Sequence, residues 1–125
     1  MIQQEGPGWR LARDPSRGSF PVLLGAEHWA IELTEEEWVS LVVLVDDLVE
    51  QYKNQESQLM PEEALCLEIE RKPWWACLDG DRNAWSLQLV LEGDGRSRRG
   101  VEAFWPIPAA EAITAAMRTI WDSYQ

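Results

Sequence analysis

The sequence is poor in the side chains that carry most catalytic and metal chemistry, with one histidine and two cysteines in 125 residues. His28 precedes a strand-like run with no serine, cysteine or carboxylate at a recognisable spacing, and no G-x-S-x-G, Walker, G-x-G-x-x-G or H-E-x-x-H pattern occurs. The common hydrolase, nucleotide and zinc mechanisms therefore lack their residues, and a non-enzymatic protein without cofactor or metal is expected. Asp79-Gly80-Asp81-Arg82-Asn83 starts like a calcium loop, but Ala84 and Val90 stand where the loop needs glycine and a bidentate glutamate, so a hairpin turn is the reading. Cys66 and Cys77 form no CxxC pair and read as reduced packing thiols, with a disulfide between neighbouring strands as the lesser alternative. No stretch approaches the roughly 20 apolar residues of a membrane span. The first six residues have neither a basic nor an apolar leader region, so a soluble, cytoplasmic protein is expected.

What the chain does have is apolar and aromatic area. A hydrophobic content of 46% with eight tryptophans can offset the entropy of ordering the chain, and the length suits a single domain spanning 1–125. The net charge of −11 is unevenly spread: residues 34–63 hold nine carboxylates against Lys53 alone. Most basic residues lie outside the two helices expected below.

Three strand-like runs come first: Gly8–Arg13, Phe20–Gly25, where Pro21 suits only an edge or strand end, and His28–Leu33, which places Trp29, Ile31 and Leu33 on one face. Thr34 with Glu37 three residues on makes a capping box, and Glu35 and Glu36 complement the positive end of the helix dipole. Trp38, Leu41, Val42, Val45, Leu48, Val49 and Tyr52 then recur at helical spacing. After Met60-Pro61, alternation returns in Leu65, Leu67 and Ile69, in Pro73–Leu78, and in Trp85, Leu87, Leu89 and Leu91. The intervening Asp-Gly and Gly-Asp-Gly segments have hairpin chemistry. Val101, Ala103 and Trp105 mark a last strand. Pro108 suits the first turn of a final helix whose stripe runs Ala109, Ala112, Ile113, Ala116, Met117, Ile120, Trp121 and Tyr124. The expected class is α+β: two antiparallel strand-rich units, about 1–60 and 61–125, each followed by a helix that roofs its own sheet.

Trp29, Trp38, Trp85, Trp105 and Trp121 fall on apolar stripes and read as core. Trp74 and Trp75 are neighbours in one strand and must point to opposite faces, so one of them is surplus to a sheet covered on a single side. Both are candidate protein-binding residues. The outward positions nearby include Glu68, Glu70, Gln88, Glu92 and Glu102, a surface that repels phosphate. The leading reading is an interaction protein that binds another protein or a second copy of itself. The alternative is single-stranded nucleic-acid binding through basic rims: Arg10, Arg13, Arg17, Arg71, Lys72, Arg96, Arg98 and Arg99.

Gly8-Trp9-Arg10-Leu11, Phe20–Gly25, Glu32-Leu33-Thr34, Leu78-Asp79-Gly80 and Ala103-Phe104-Trp105-Pro106 together resemble a cyanobacterial family, domain of unknown function 1818, over nearly the whole chain. The resemblance implies a fold similar to the single-stranded-DNA-binding transcriptional regulators, which include the plant Whirly proteins and positive cofactor four. The Lys-Gly-Lys-Ala-Ala-Leu segment of Whirly proteins has no counterpart here, where Lys53 and Lys72 are the lysines, so no DNA-binding residue carries over.

Overall fold

Residues 1–123 are described by a computed structural model of the chain. Strands β1 (Ile2–Gly6), β2 (Trp9–Arg13), β3 (Val22–Gly25) and β4 (Ala30–Leu33) form one antiparallel meander, and helix α1 (Glu35–Glu56) follows it. Strands β5 (Leu65–Arg71), β6 (Trp74–Gly80), β7 (Trp85–Leu91) and β8 (Val101–Trp105) form a second meander, followed by α2 (Ala109–Ser123). The class is α+β, with the two expected sheet-then-helix units. The expected Tyr124 at the end of the α2 stripe lies outside the described residues.

The first sheet has one strand more than the sequence pattern announces. Ile2–Gly6 pairs with Arg13–Trp9 through the Pro7-Gly8 turn, where Gly8 takes a φ of +79. An edge strand is held by its backbone ladder and needs little burial, so Gln3, Gln4 and Glu5 carry no strong alternation to read. Pro21 lies just before β3, consistent with a strand-end role, and its carbonyl accepts from the Asp14 N–H at 2.8 Å.

The larger departure concerns which helix covers which sheet. α1 leaves the first sheet and packs against β5 and β6 of the second, while α2 leaves the second and packs against β1 and β2 of the first, reaching β7 as well. Each helix thus crosses to the other unit, and the expectation that each roofs its own sheet is corrected. β4 is an edge strand, and the first turn of α1 that follows it is bonded to the second sheet through the Trp74 indole and the Glu37 carbonyl. The inward faces of both sheets and both helix stripes then merge into one cluster containing Leu11, Leu24, Leu33, Leu48, Leu78, Leu87 and Ile120, all fully buried.

The capping box is present with both bonds. Thr34 Oγ1 accepts from the Glu37 N–H at 3.2 Å, and Glu37 Oε1 accepts from the Thr34 N–H at 2.9 Å. Two buried indoles pin α1 and the β8 edge to the other unit. Trp74 Nε1 donates to the Glu37 carbonyl at 3.0 Å, and Trp105 Nε1 donates to the Gly25 carbonyl at 3.1 Å. Trp38 Nε1, equally buried, finds no acceptor among the described residues.

These contacts rank three substitutions. Trp74→Phe and Trp105→Phe each lose a buried indole hydrogen bond as well as ring area, whereas Trp38→Phe loses ring area and an N–H that has no partner among the described residues. We expect the first two to destabilise by about 1 kcal/mol more than the third in denaturant melts.

Candidate binding surfaces

β5 to β8 expose their outer face, and the strand register arranges it in rows. One row across the sheet runs Glu70, Trp75, Val90, Glu102; the next runs Glu68, Cys77, Gln88, Phe104; a third runs Cys66, Asp79, Ser86. Trp75, Val90 and Cys77 lie in the middle of these rows and Phe104 at the β8 edge beyond Gln88, with Glu68, Glu70, Asp79 and Glu102 on the same face and no basic side chain in any row. Phe104 is 52% exposed. Trp75 is half-buried, and its Nε1 donates to Glu68 Oε2 at 3.2 Å, which lays the indole across β6 towards β5.

The two neighbouring tryptophans separate as strand alternation requires. Trp74 is 1% exposed and its N–H is spent on Glu37, so it is a core residue and leaves the set of protein-binding candidates. Trp75 keeps that candidacy. Trp29 departs from its expected core role in part: half-buried, it packs at a tilt of 51° against Trp105 with centroids 5.2 Å apart and lines a shallow recess with Phe104, Gln88 and Glu102. Sequence alternation could not place Trp29 and Phe104 together, because Trp29 lies just before β4 of the first sheet and Phe104 in β8 of the second.

Three of the eight basic candidates, Arg13, Arg17 and Arg99, come together around the acids of the β4 edge and the start of α1, where each is paired with a carboxylate. Arg13 pairs with Glu35, Arg17 with Glu32 at 2.6 Å, Arg71 with Asp47 at 2.5 Å, and Arg99 with Glu37 at 2.9 Å. Arg10 donates to the Trp29 carbonyl at 3.4 Å. Arg96 and Arg98 sit in the β7–β8 loop with exposed side chains, and Lys72 is exposed in the β5–β6 turn. That loop is shaped by Asp94, whose Oδ1 accepts backbone N–H groups from Arg96, Ser97 and Arg98. Hydrogen bonds from the Arg98 and Arg96 N–H groups hold the Asp94 carboxyl down at a pKa of about 2.

Arg99 takes a structural position. It grips both oxygens of Glu37, also donates to the Glu32 carbonyl, and lies 5.0 Å from the centre of the Phe20 ring. Burial pushes the Glu37 carboxyl up, but the Arg99 guanidinium and the hydrogen bonds from Thr34 outweigh it and leave the group below its ordinary value of 4.5. A depressed carboxyl contributes stability that is present above its unfolded pKa and lost as pH falls through the folded one. Glu37→Gln should therefore be less stable than the parent at neutral pH, with the gap closing below about pH 4, read from denaturation midpoints across pH.

Between α1, α2 and the β6–β7 loop lies a groove of about 550 Å³. Its floor includes Val45, Val49, Trp85 and Met117, and its rim mixes Lys53 and Arg82 with Glu56 and Glu111. No single charge is favoured there. No local pattern announces this groove, which forms because α2 lies beside α1. No group of three or more histidine, cysteine or acidic side chains among the described residues is placed to hold a metal ion. None of the described helices is long and apolar enough to cross a membrane.

The fold and its open face define a two-sheet, two-helix α+β protein that presents an acidic-rimmed aromatic surface. Residues 4–120 match the family described as domain of unknown function 1818, and the chain belongs to that family. A solved structure of a protein with unknown function from Prochlorococcus sp. NATL2A, described as from the DUF155 family, is similar over 97% of this chain and 99% of its own. The identity is 47% and the TM-score 0.91. No curated protein matches the chain.

The split between the paired tryptophans has a direct check. Trp74→Ala should cost about 3–5 kcal/mol in denaturant melts, as expected for emptying a buried aromatic site. Trp75→Ala, on a half-covered face, should cost about 1 kcal/mol or less.

Proposed function

We propose that the chain is a single-domain, cytoplasmic, non-enzymatic interaction protein, and that its outer face on β5–β8 binds another protein. The observation that carries this reading is the apolar run from Trp75 through Val90 to Phe104 at the β8 edge, set among Glu68, Glu70, Asp79 and Glu102. Large aromatic side chains at the middle of a polar rim are the usual anchors of protein interfaces. These carboxylates select a partner surface that presents arginine or lysine around an apolar or aromatic side chain. It also disfavours an isologous homodimer through this face, because two acidic rims would meet. Self-association through another surface remains the second form of the same reading.

The kinship with Whirly-like single-stranded-DNA-binding folds belongs to this proposal as well, and the order of strands and helices agrees with it. Nucleic-acid binding is the less favoured function. Arg13, Arg17, Arg71 and Arg99 are engaged with acids, and the open sheet face carries carboxylates where phosphates would lie.

Affinity capture with the parent chain, with Trp75→Ala and with the double variant Glu68→Lys, Glu70→Lys is the decisive comparison. We expect a partner retained by the parent to be lost with both variants, and parental capture itself to weaken as salt rises. A parallel titration with single-stranded oligonucleotides should leave tryptophan fluorescence unchanged. Micromolar binding that falls steeply with salt would overturn the ranking.

A further inference from the structure

Cys66 and Cys77 lie on the outer face of adjacent strands, with their sulfurs 3.3 Å apart and both thiols free. The register explains the meeting. Cys66 stands opposite Asp79 and Cys77 opposite Glu68, so the two cysteines are diagonal neighbours on the same face of an antiparallel pair. A disulfide here brings the sulfurs about 1 Å closer. The two sites differ in access, since Cys66 is exposed and Cys77 half-buried.

We propose that Cys66 and Cys77 form a dithiol site that reacts with small disulfides carrying positive charge, and that its product is a reversible Cys66–Cys77 disulfide stapling β5 to β6. The exposed Cys66 thiolate attacks one sulfur of the incoming disulfide, forms a mixed disulfide and expels one thiolate, which takes up the proton Cys66 has lost. Cys77 as thiolate then attacks the Cys66 sulfur, forms the intramolecular bond and expels the second thiolate, which takes up the Cys77 proton. Two electrons pass from the protein dithiol to the small disulfide, leaving two small thiols.

The charge preference follows from the neighbours. Glu68 and Asp79 face the two cysteines directly across the strand pair, and Glu70 and Glu102 lie on the same face. No basic side chain occupies the three rows, so an anionic disulfide is repelled and a cationic one drawn in. In the free dithiol, burial, the Cys66 thiol and the acids Asp79 and Glu68 push the Cys77 thiol up to about 12, which makes Cys77 a poor first nucleophile and leaves the first attack to the exposed Cys66. This site stands independently of whether the face binds a protein.

The test treats the full chain with cystamine, a cationic disulfide, or with glutathione disulfide, an anionic one, and follows intact mass and free thiols. Cystamine should remove both thiols, with a mass loss of two hydrogens and no dimer. It should also react at least tenfold faster than glutathione disulfide at low salt, with the difference shrinking as salt rises. Cys77→Ser should stop at a stable cysteamine adduct on Cys66, and circular dichroism should show parental folding for that variant. Stable adducts on both cysteines of the parent, disulfide-linked dimers, or two thiols left intact would each overturn the dithiol site. Equal rates with the two probes would overturn its charge preference.

Discussion

Glu37 ties together several separate parts of this structure. Its carboxylate closes the capping box that starts α1 and accepts two hydrogen bonds from Arg99 of the β7–β8 loop, while its carbonyl accepts the Trp74 indole of β6. One residue therefore ties the exit from the first sheet, the first turn of the long helix and two parts of the second sheet. The arrangement is favourable because the pair is only partly exposed, with side-chain exposures of 14% for Glu37 and 37% for Arg99, and the guanidinium meets the carboxylate in two-pronged fashion. An ion pair with that geometry and several shared hydrogen bonds is worth more than the solvated pairs elsewhere on the surface, such as Arg118 with Asp122.

The crossing of the helices gives this junction its importance. If α1 covered the sheet it follows, each unit could bury its apolar stripe alone. Because α1 lies on β5 and β6 and α2 on β1 and β2, neither sheet has its cover without the other half of the chain. Trp105 donating to Gly25, eighty residues earlier, is the same coupling at the other end of the core. The halves resemble one another in order but depend on one another in packing.

The same packing decides which charges remain available. The acids of the α1 start and the β4 edge, Glu32, Glu35 and Glu37, draw in Arg17, Arg13 and Arg99, so a chain with a scattered basic complement spends much of it on internal neutralisation. Among the described residues, the outer face of the second sheet receives no such partners. Its carboxylates stay unopposed around Trp75 and Phe104, and this imbalance underlies both the docking proposal and the charge preference proposed for the dithiol.

Much of the architecture was legible from local pattern. The capping box at Thr34, the helical stripe from Trp38 to Tyr52, the alternation of β5 to β7 and the opposite facing of Trp74 and Trp75 all follow from spacing, because helix and strand periods act within a few residues. β1 was not legible, since an edge strand held by backbone bonds needs no apolar alternation. The arginine pairings were not legible either: Arg99 meets Glu37 across 62 positions, and nothing local announces that. The chain alone determined that there would be two strand-rich units, two amphipathic helices and one surplus indole. Only the tertiary structure decided which helix covers which sheet, which tryptophan stays open and how close the two thiols lie, because those outcomes depend on long-range packing and strand register.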